Sequence, residues 1–370
     1  MQQEYSGEHM NPTQKSRRGA LAALLVFAGL LSSCAGGAPN KSWAGMAVQG
    51  ATAFLAHNTF ISAVNLDTGQ MAWQYPAEKG DATVLYYSDP LIDSNGDLVA
   101  AGYDGTVVKL AADSGTAIWT MEGDGNPIIA PIAEGPDGAY YASSEDGGLL
   151  VIDSAAGTLL RRVDLGKASS WGTMAVNGDR LYIGTIEHKV LAYNFETGAI
   201  DWSVDLGASI AGGVNLVDGM VVVGTFAKQV VALDPQNGET LWEAETDGWV
   251  WQAPVESDDA LFAADLGGVL RSLTLSDGLP LWHIELEAPI QAGPAVQDGT
   301  VFAGDSQGTV YAYSAEAGTP AWQRKLEGGV FGTLRLAGGK LLAVVNGGKY
   351  QLAALHPGNG SIIWTYTEPS

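Results

Sequence analysis

The stretch ALDPQNGETLW, residues 232–242, decides the fold, because its glycine is followed four residues later by a tryptophan and this spacing recurs along the chain. The recurring glycines lie 40 to 46 residues apart and are Gly69, Gly115, Gly157, Gly198, Gly238, Gly278, Gly318 and Gly360. Seven of them are followed by the tryptophans Trp73, Trp119, Trp202, Trp242, Trp282, Trp322 and Trp364, whereas Gly157 is followed by Arg161. A period near 40 residues is typical of β-propellers, in which each repeat is one four-stranded blade. The sequence therefore predicts an all-β fold, a single eight-bladed β-propeller of four-stranded antiparallel blades.

The pattern inside one repeat predicts four short strands. In the fifth repeat, apolar runs at 214–217, 220–224, 229–233 and 239–244 are separated by turn pairs such as Asp218-Gly219 and Asn237-Gly238. The repeats begin at Trp43 and end near Trp364 in the same phase. The prediction is a propeller over residues 43–370 that closes by packing of blade one against blade eight, without a strand borrowed from the other end of the chain.

The composition is strongly acidic. The chain of 370 residues has 41 acidic and 18 basic residues, which gives a formal net charge of −23. Such a surface repels phosphate backbones and anionic headgroups, and we therefore exclude nucleic-acid binding. The acidity need not reflect any binding partner, because a high net charge also keeps an exported protein soluble.

The N-terminal segment has the pattern of an export signal. Lys15, Arg17 and Arg18 precede an apolar run at 20–31, which is too short to span a membrane and ends at Cys34. The stretch LSSCA resembles the bacterial lipobox, in which the cysteine is lipidated. We expect a lipoprotein signal peptide at 1–33, lipid attachment at Cys34 and a flexible tether at 34–42. The alternatives are an ordinary signal peptide with an incidental cysteine, and a true start at Met10.

The repeat resembles the tryptophan-docking motif of the PQQ-like propellers, whose pattern is Ala-x-Asp, two residues, Thr-Gly, three residues, Trp. Residues 192–202, AYNFETGAIDW, and residues 232–242 carry it most clearly. The resemblance implies that the seven tryptophans pack between adjacent blades, which suits their large area and single N–H donor. Arg161 would place its planar guanidinium in the same slot.

The whole chain resembles the BamB-type lipoproteins of outer-membrane protein assembly, with a signal, a lipobox cysteine and eight minimal blades. The resemblance implies a non-enzymatic scaffold that meets an envelope protein through interblade loops on one face. One departure is that the loop carrying a Leu-Arg-Gly-Glu-Ser-like stretch in that family has no counterpart, since residues 250–255 read VWQAPV.

The resemblance to PQQ-like propellers also raises the question of a quinone cofactor. Quinoprotein dehydrogenases have large insertions, a calcium site and often an adjacent cysteine pair, whereas this chain has near-minimal blades and one cysteine. The histidines lack metal-ligand spacing, and residues 93–97 align with hairpin turns of other repeats rather than with a calcium loop. We therefore predict no cofactor, no metal and no catalytic residues, with a compact PQQ-dependent dehydrogenase as the alternative.

Six aromatic residues lie outside the docking motif, at or just before the first strand of a repeat: Trp43, Tyr87, Trp171, Trp249, Trp251 and Phe331. They either fill the propeller axis or form a recognition face for a protein segment or a glycan. The function predicted is that of a monomeric, lipid-anchored scaffold of the bacterial cell envelope, at the outer membrane or the outer face of the cytoplasmic membrane. A surface ligand-binding, glycan-binding or sensory propeller is a further alternative.

Overall fold

The computed structural model describes residues 44–78 and 84–368, and within them it confirms the all-β prediction. The strands form eight separate sheets, one for each repeat. No helix in this part of the chain is long and apolar enough to cross a membrane. The predicted signal peptide, the tether, Cys34 and Trp43 lie outside the described residues.

The first four blades are built from consecutive strands. Blade 1 contains β1 (Gly45–Gln49), β2 (Thr52–His57), β3 (Phe60–Asn65) and β4 (Met71–Tyr75), and blade 2 contains β5 (Leu91–Ile92), β6 (Leu98–Ala101), β7 (Val107–Leu110) and β8 (Ala117–Met121). Blade 3 contains β9 (Ala133–Glu134), β10 (Tyr140–Ser144), β11 (Gly148–Ile152) and β12 (Leu159–Asp164), and blade 4 contains β13 (Ala175–Asn177), β14 (Arg180–Gly184), β15 (Lys189–Asn194) and β16 (Ala199–Asp205).

The other four blades repeat this order. Blade 5 contains β17 (Val214–Val217), β18 (Met220–Thr225), β19 (Gln229–Leu233) and β20 (Thr240–Glu245), and blade 6 contains β21 (Val255–Ser257), β22 (Ala260–Ala264), β23 (Val269–Thr274) and β24 (Pro280–Glu285). Blade 7 contains β25 (Ala295–Gln297), β26 (Thr300–Gly304), β27 (Thr309–Ser314) and β28 (Pro320–Lys325). Blade 8 contains β29 (Gly329–Val330), β30 (Arg335–Ala337), β31 (Lys340–Asn346), β32 (Leu352–Leu355) and β33 (Ile362–Tyr366).

Each blade is an antiparallel meander in which strands adjacent in sequence pair with each other; in blade 8 the short β29 and β30 both pair with β31. The two middle strands are buried, as β18 and β19 show, because both of their faces are covered by neighbouring blades. The outermost strands are more exposed, and in β16 exposed residues alternate with half-buried ones. The connections therefore fall on two faces, one of which carries the turns between second and third strands and the crossings to the next blade.

The outer hairpin of every blade contains a register shift beside the docking position. In blade 5, Ala232 lies opposite Trp242, but the next residue, Leu233, lies opposite Thr240. The same shift occurs next to the docking residue in all the other blades. A bulge of this kind re-aims the side chains around it, and here it accompanies a tryptophan turned toward the neighbouring blade.

The hydrophobic core lies between the blades rather than inside any one of them. One cluster joins the first and last blades through Met46, Leu55 and Leu66 from blade 1 and Leu342 and Leu352 from blade 8, all almost fully buried. All four strands of blade 1 come from residues 45–75. Within the described residues, closure thus rests on packing of blade 1 against blade 8.

Candidate functional site on the axial face

The docking tryptophans lie at the blade interfaces. The indole N–H of Trp202 donates to the carbonyl oxygen of Pro235 in the next blade at 3.1 Å, and its ring lies against Gly238. A Cβ atom at Gly238 would stand 2.7 Å from that ring, so only glycine permits the approach. The remaining six tryptophans make the same pair of contacts with the following blade. These seven residues are therefore occupied by contacts within the propeller.

Arg161 takes the corresponding position in blade 3. Its guanidinium lies against Gly198, as the tryptophan rings lie against their glycines. It also stands over the ring of Tyr193 and donates a hydrogen bond to the hydroxyl of that tyrosine. The side chain thus combines contact with the glycine, a cation–π contact and a hydrogen bond in the slot where the other repeats have an indole.

The other predicted aromatics separate into two groups in the structure. Four of them line one cavity on the propeller axis, namely Tyr87, Trp171, Trp251 and Phe331, and we call these the aromatic quartet. Trp249 lies away from this cavity, and Trp43 is outside the described residues. Trp251 and Tyr87 are only 7% and 6% exposed, whereas Trp171 and Phe331 are half-buried. The quartet is thus partly a filling of the axis and partly accessible from the face.

The quartet has a regular arrangement around the axis. Its members precede the inner strands of blades 2, 4, 6 and 8, and in an eight-bladed ring every second blade lies a quarter turn further on. The equivalent positions of blades 5 and 7 are Ala211 and Gln291, which line the same cavity. From blade 4 to blade 8, aromatic side chains therefore alternate with smaller or polar ones.

The cavity enclosed by the quartet is small, with a volume of about 80 Å³. Its lining includes one charged residue, Asp89, which accepts hydrogen bonds from Arg335 and from the backbone N–H of Met46. Asp89 also lines a wider cavity of about 470 Å³ between the inner strands, where Arg335 lies. The ion pair thus stands between the two spaces and joins blade 8 to the loop that begins blade 2.

Two amide side chains at the axial cavity have no partner in the described structure. Gln291 is 8% exposed, and neither it nor Gln252 makes a side-chain hydrogen bond with another described residue. Neither is among the described residues that have a fully buried side-chain polar atom without a partner, so the amide groups of both reach the surface of the cavity. The amides of Gln252 and Gln291 are therefore available to a bound group or to water.

A pair of carboxylates stands behind Trp171. The indole N–H of Trp171 donates to Glu145 at 2.7 Å, and Glu187 accepts a hydrogen bond of 2.7 Å from the backbone N–H of Ser169. Burial raises the pKa of Glu145 above its usual value, and the nearby charge of Glu187 adds to this, while hydrogen bonds from Trp171 and Ser169 oppose it. The arrangement fixes the orientation of Trp171 and adds negative charge to this side of the face.

A second aromatic cluster lies on the same face. Phe226 stacks on Trp249 with ring centroids 4.8 Å apart and on Trp251 at 5.6 Å. Phe226 belongs to the turn between β18 and β19, and its backbone N–H donates to Ser209 in the crossing before blade 5. Trp251 therefore links the quartet to this stack.

Four residues of this face were not among the predicted site residues: Phe226, Glu145, Gln252 and Gln291. The repeat itself could have pointed to the first two, because each occupies the first position of the turn between the second and third strands of its blade. The residues at this position recur at intervals of 40 to 42 and are Tyr103, Glu145, Ile186, Phe226, Leu266 and Ser306. The two glutamines carry no motif, and only the closed ring brings them to the cavity.

Another buried polar group has all its partners within the blades. Asp93 accepts hydrogen bonds from Lys109 at 2.7 Å and from Tyr140 at 2.5 Å. The residues 93–97, which precede β6, form a turn between β5 and β6. Among the described residues, no group of three or more His, Cys, Asp or Glu side chains could hold a metal ion.

Comparison with known proteins agrees with this architecture. The sequence matches the family described as "Outer membrane protein assembly factor BamB" at residues 35–134, 145–265, 196–289 and 266–370. It is 27% identical over 119 residues to the protein of that name from Nitrosomonas eutropha, and this alignment covers 32% of the chain and 28% of the relative. It is 28% identical over 149 residues to the quinohemoprotein alcohol dehydrogenase ADH IIB of Pseudomonas putida, covering 35% of the chain and 22% of that protein.

The alignments thus span less than a third of the length of either curated relative. The crystal structure of BamB from Moraxella catarrhalis superposes with a TM-score of 0.69 at 20% identity, over 82% of this chain and 91% of that one. This similarity concerns the fold. Because the family match extends across all eight blades, the chain belongs to the family of outer membrane protein assembly factor BamB.

Proposed function

We propose that this protein is a non-enzymatic lipoprotein of the bacterial cell envelope that acts as a protein-interaction scaffold in outer-membrane protein assembly. The observation that carries the proposal is the family match along the whole propeller. This function is stated in the names of the relatives, and similarity of fold alone does not transfer it to this chain. The proposal for this chain therefore needs its own experiment.

The axial face offers a surface for such a partner. It presents the aromatic quartet together with the stack of Phe226 on Trp249, and aromatic side chains are frequent anchors in protein interfaces. The docking tryptophans are not available for this role, since each is committed to the next blade. We therefore place the partner on the face formed by the crossings between blades.

Affinity purification of the tagged full-length protein from detergent-solubilised envelopes tests the proposal. We expect a β-barrel outer-membrane assembly protein to co-purify with the wild type, and less of it with Trp249→Ala. Glu316→Gln, a change at an exposed turn on the opposite face, is the control and should retain the partner. Absence of any outer-membrane assembly protein from the wild-type sample would contradict the proposal.

Membrane attachment is proposed to occur through Cys34. The variant Cys34→Ala should accumulate as an unprocessed precursor or a soluble form, because it lacks the only thiol in the chain and each buried CH₂ of a lipid contributes about 0.8 kcal/mol to membrane binding. Labelling of cells with radioactive fatty acid measures this. Incorporation of label into Cys34→Ala would show that the anchor lies elsewhere.

The second candidate function is a quinoprotein dehydrogenase, favoured by the alignment with the Pseudomonas putida enzyme. Pyrroloquinoline quinone carries three carboxylates and therefore needs a cationic or metal-bearing pocket. Among the described residues, Asp89 is the only charged one that lines the smaller axial cavity, and in the wider cavity Arg335 is already paired with that carboxylate. Neither axial cavity, as the described residues line it, fits this cofactor, and we assign it no step.

A further inference from the structure

The aromatic quartet encloses a space with the dimensions of a single small group. The volume of about 80 Å³ is well below the roughly 300–1,000 Å³ of common ligand pockets. A cofactor or an oligosaccharide chain would exceed it, whereas the tip of one side chain would not. The size thus favours recognition of one projecting group over enclosure of a whole ligand.

The chemistry of the lining favours a cation. Aromatic rings arranged around a small space attract cations through the negative potential of their faces. Among the described residues that line the cavity there is no lysine, arginine or histidine, and Glu145 supports one wall by accepting the indole N–H of Trp171. The protein as a whole carries a formal charge of −23, which attracts a basic partner from a distance.

The two unpaired amides supply directional contacts. The carbonyl oxygens of Gln252 and Gln291 can accept hydrogen bonds from a donor placed between the aromatic rings. A guanidinium is planar, carries five N–H donors and stacks on aromatic rings, and it therefore uses both features of the site. An ammonium group uses the charge but lacks the flat stacking surface.

We propose that the axial cavity binds the guanidinium of an arginine side chain presented by the partner protein. This proposal rests on the proposed scaffold function and adds to it the chemistry of the residue recognised. It predicts a partner segment with an arginine flanked by residues able to contact the stack of Phe226 and Trp249. A glycan as the occupant is an alternative that the following experiment excludes or supports.

The test uses small probes with the full-length protein in detergent, labelled with ¹⁵N at its tryptophan indoles. Nα-acetyl-arginine amide should shift the indole signals of Trp171 and Trp251, which are assigned with Trp→Phe variants, and bind in the millimolar range. Its neutral isostere, Nα-acetyl-citrulline amide, should bind at least about fivefold more weakly, the difference expected for loss of a cation–π contact. Equal binding of both compounds, no shift with either, or shifts with chitotetraose alone would overturn the proposal.

Two substitutions locate the site. Glu145→Gln keeps the hydrogen-bond acceptor for Trp171 but removes the charge, and Phe331→Leu removes one aromatic wall; each should weaken arginine binding by about threefold or more. The exposed Glu316→Gln makes the same chemical change as Glu145→Gln on the opposite face and should bind like the wild type. Unchanged binding in both axial variants would refute the assignment of the cavity.

The probe experiment involves no partner, and its failure is therefore distinct from failure of the scaffold proposal. If an outer-membrane assembly protein co-purifies but arginine and citrulline amides behave alike, the cavity proposal is wrong and the scaffold function stands. If the arginine probe binds selectively but no assembly protein co-purifies, the cavity proposal is supported and the scaffold function fails.

Discussion

The role of a tryptophan in this propeller depends on whether it lies on the outermost strand of a blade or just before the innermost strand. Trp202 lies on an outer strand, where its ring covers Gly238 and its N–H is satisfied by Pro235 of the next blade. Trp171 precedes an inner strand, where its N–H is held by Glu145 and its ring lines the axial cavity. The same residue type therefore stabilises the fold at one position and forms a candidate recognition site at another.

The carboxylate behind Trp171 makes stability depend on pH. The pKa of Glu145 is raised in the folded state, chiefly by burial, so ionisation costs more in the folded than in the unfolded protein. The contribution of Glu145 to the stability of the folded state is therefore fully present below the pKa that this group has in the unfolded protein. It is lost as the pH rises through the higher pKa that the group has in the folded protein.

The variant Glu145→Gln should accordingly have a larger free energy of unfolding than the wild type at pH 7. The difference should disappear in acid, below the usual carboxyl pKa of 4.5, where both folded and unfolded wild-type protein are protonated. Urea denaturation at both pH values measures this, with Glu316→Gln as the matched loss of one carboxylate. A difference of the same size at both pH values would contradict the assignment to ionisation.

The outer hairpin is the element that joins blade to blade. It combines a glycine with φ of about +70°, a register shift in the strand pair and a tryptophan turned toward the following glycine. Its apolar residues next to the docking position, such as Leu241 and Leu281, remain about half exposed at the rim. The hairpin thus leaves these apolar side chains partly exposed, while one large side chain packs between two blades.

Substitution of two glycines separates backbone strain from the interblade contact. Gly219 and Gly238 have the same φ of +75°, but a Cβ atom at Gly219 would meet nothing within 4 Å, whereas at Gly238 it would strike Trp202. Gly219→Ala should cost about 1–2 kcal/mol from the left-handed conformation alone, and Gly238→Ala should cost more.

In the background of Trp202→Ala, the additional cost at Gly238 should vanish, and a double-mutant cycle from chemical denaturation measures it. Equal destabilisation by both glycine substitutions in the wild-type background would show that the close approach of ring and glycine does not contribute.

On the scale of the whole molecule, the eighth blade closes the ring on the first with the contacts used everywhere else. The ring of Trp364 lies against Gly69, and its N–H donates to the carbonyl oxygen of Leu66 at 2.7 Å. A hydrogen bond of 2.9 Å between His57 and Glu368 adds a polar contact at the same junction. Closure therefore repeats the interblade interaction and uses the two blades most distant in sequence.

Loss of the closing tryptophan should open this junction selectively. Trp364→Ala should destabilise the protein by about 3 kcal/mol, the lower end for removal of a large aromatic side chain, because the indole is only partly buried. Amide hydrogen exchange should accelerate mainly in blades 1 and 8, whereas Trp202→Ala should affect mainly blades 4 and 5. Uniform acceleration in all blades by either variant would argue against a local closure contact.

The charge distribution of the whole protein leads to a prediction about the quinone. The purified protein should give no heat of binding with pyrroloquinoline quinone in calorimetry, with or without calcium, and should reduce no dye with alcohols or sugars. The physical reason is that the cofactor is an anion, and among the described residues the one cation that lines the axial cavities, Arg335, is already paired. Stoichiometric binding in the micromolar range would instead favour the dehydrogenase function.

The sequence alone was sufficient to predict the architecture. The spacing of glycine and tryptophan gives the number of blades, and the turn pairs give the strands, so the predicted runs at 214–217 and 229–233 coincide with β17 and β19. These features are readable because they are local: a turn needs positive φ, and a strand needs alternating or continuous apolar residues. The aromatic residues before the inner strands were also visible as exceptions to the repeat.

The composition of the axial site was decided by tertiary structure. Tyr87 and Phe331 line one cavity although 244 residues separate them, because closure of the ring brings alternate blades to a common axis. Glu145 meets Trp171, and Phe226 meets Trp249, because the turns of one blade reach the crossings of the next. Contacts of this kind depend on the orientation of whole blades, which no local sequence pattern specifies.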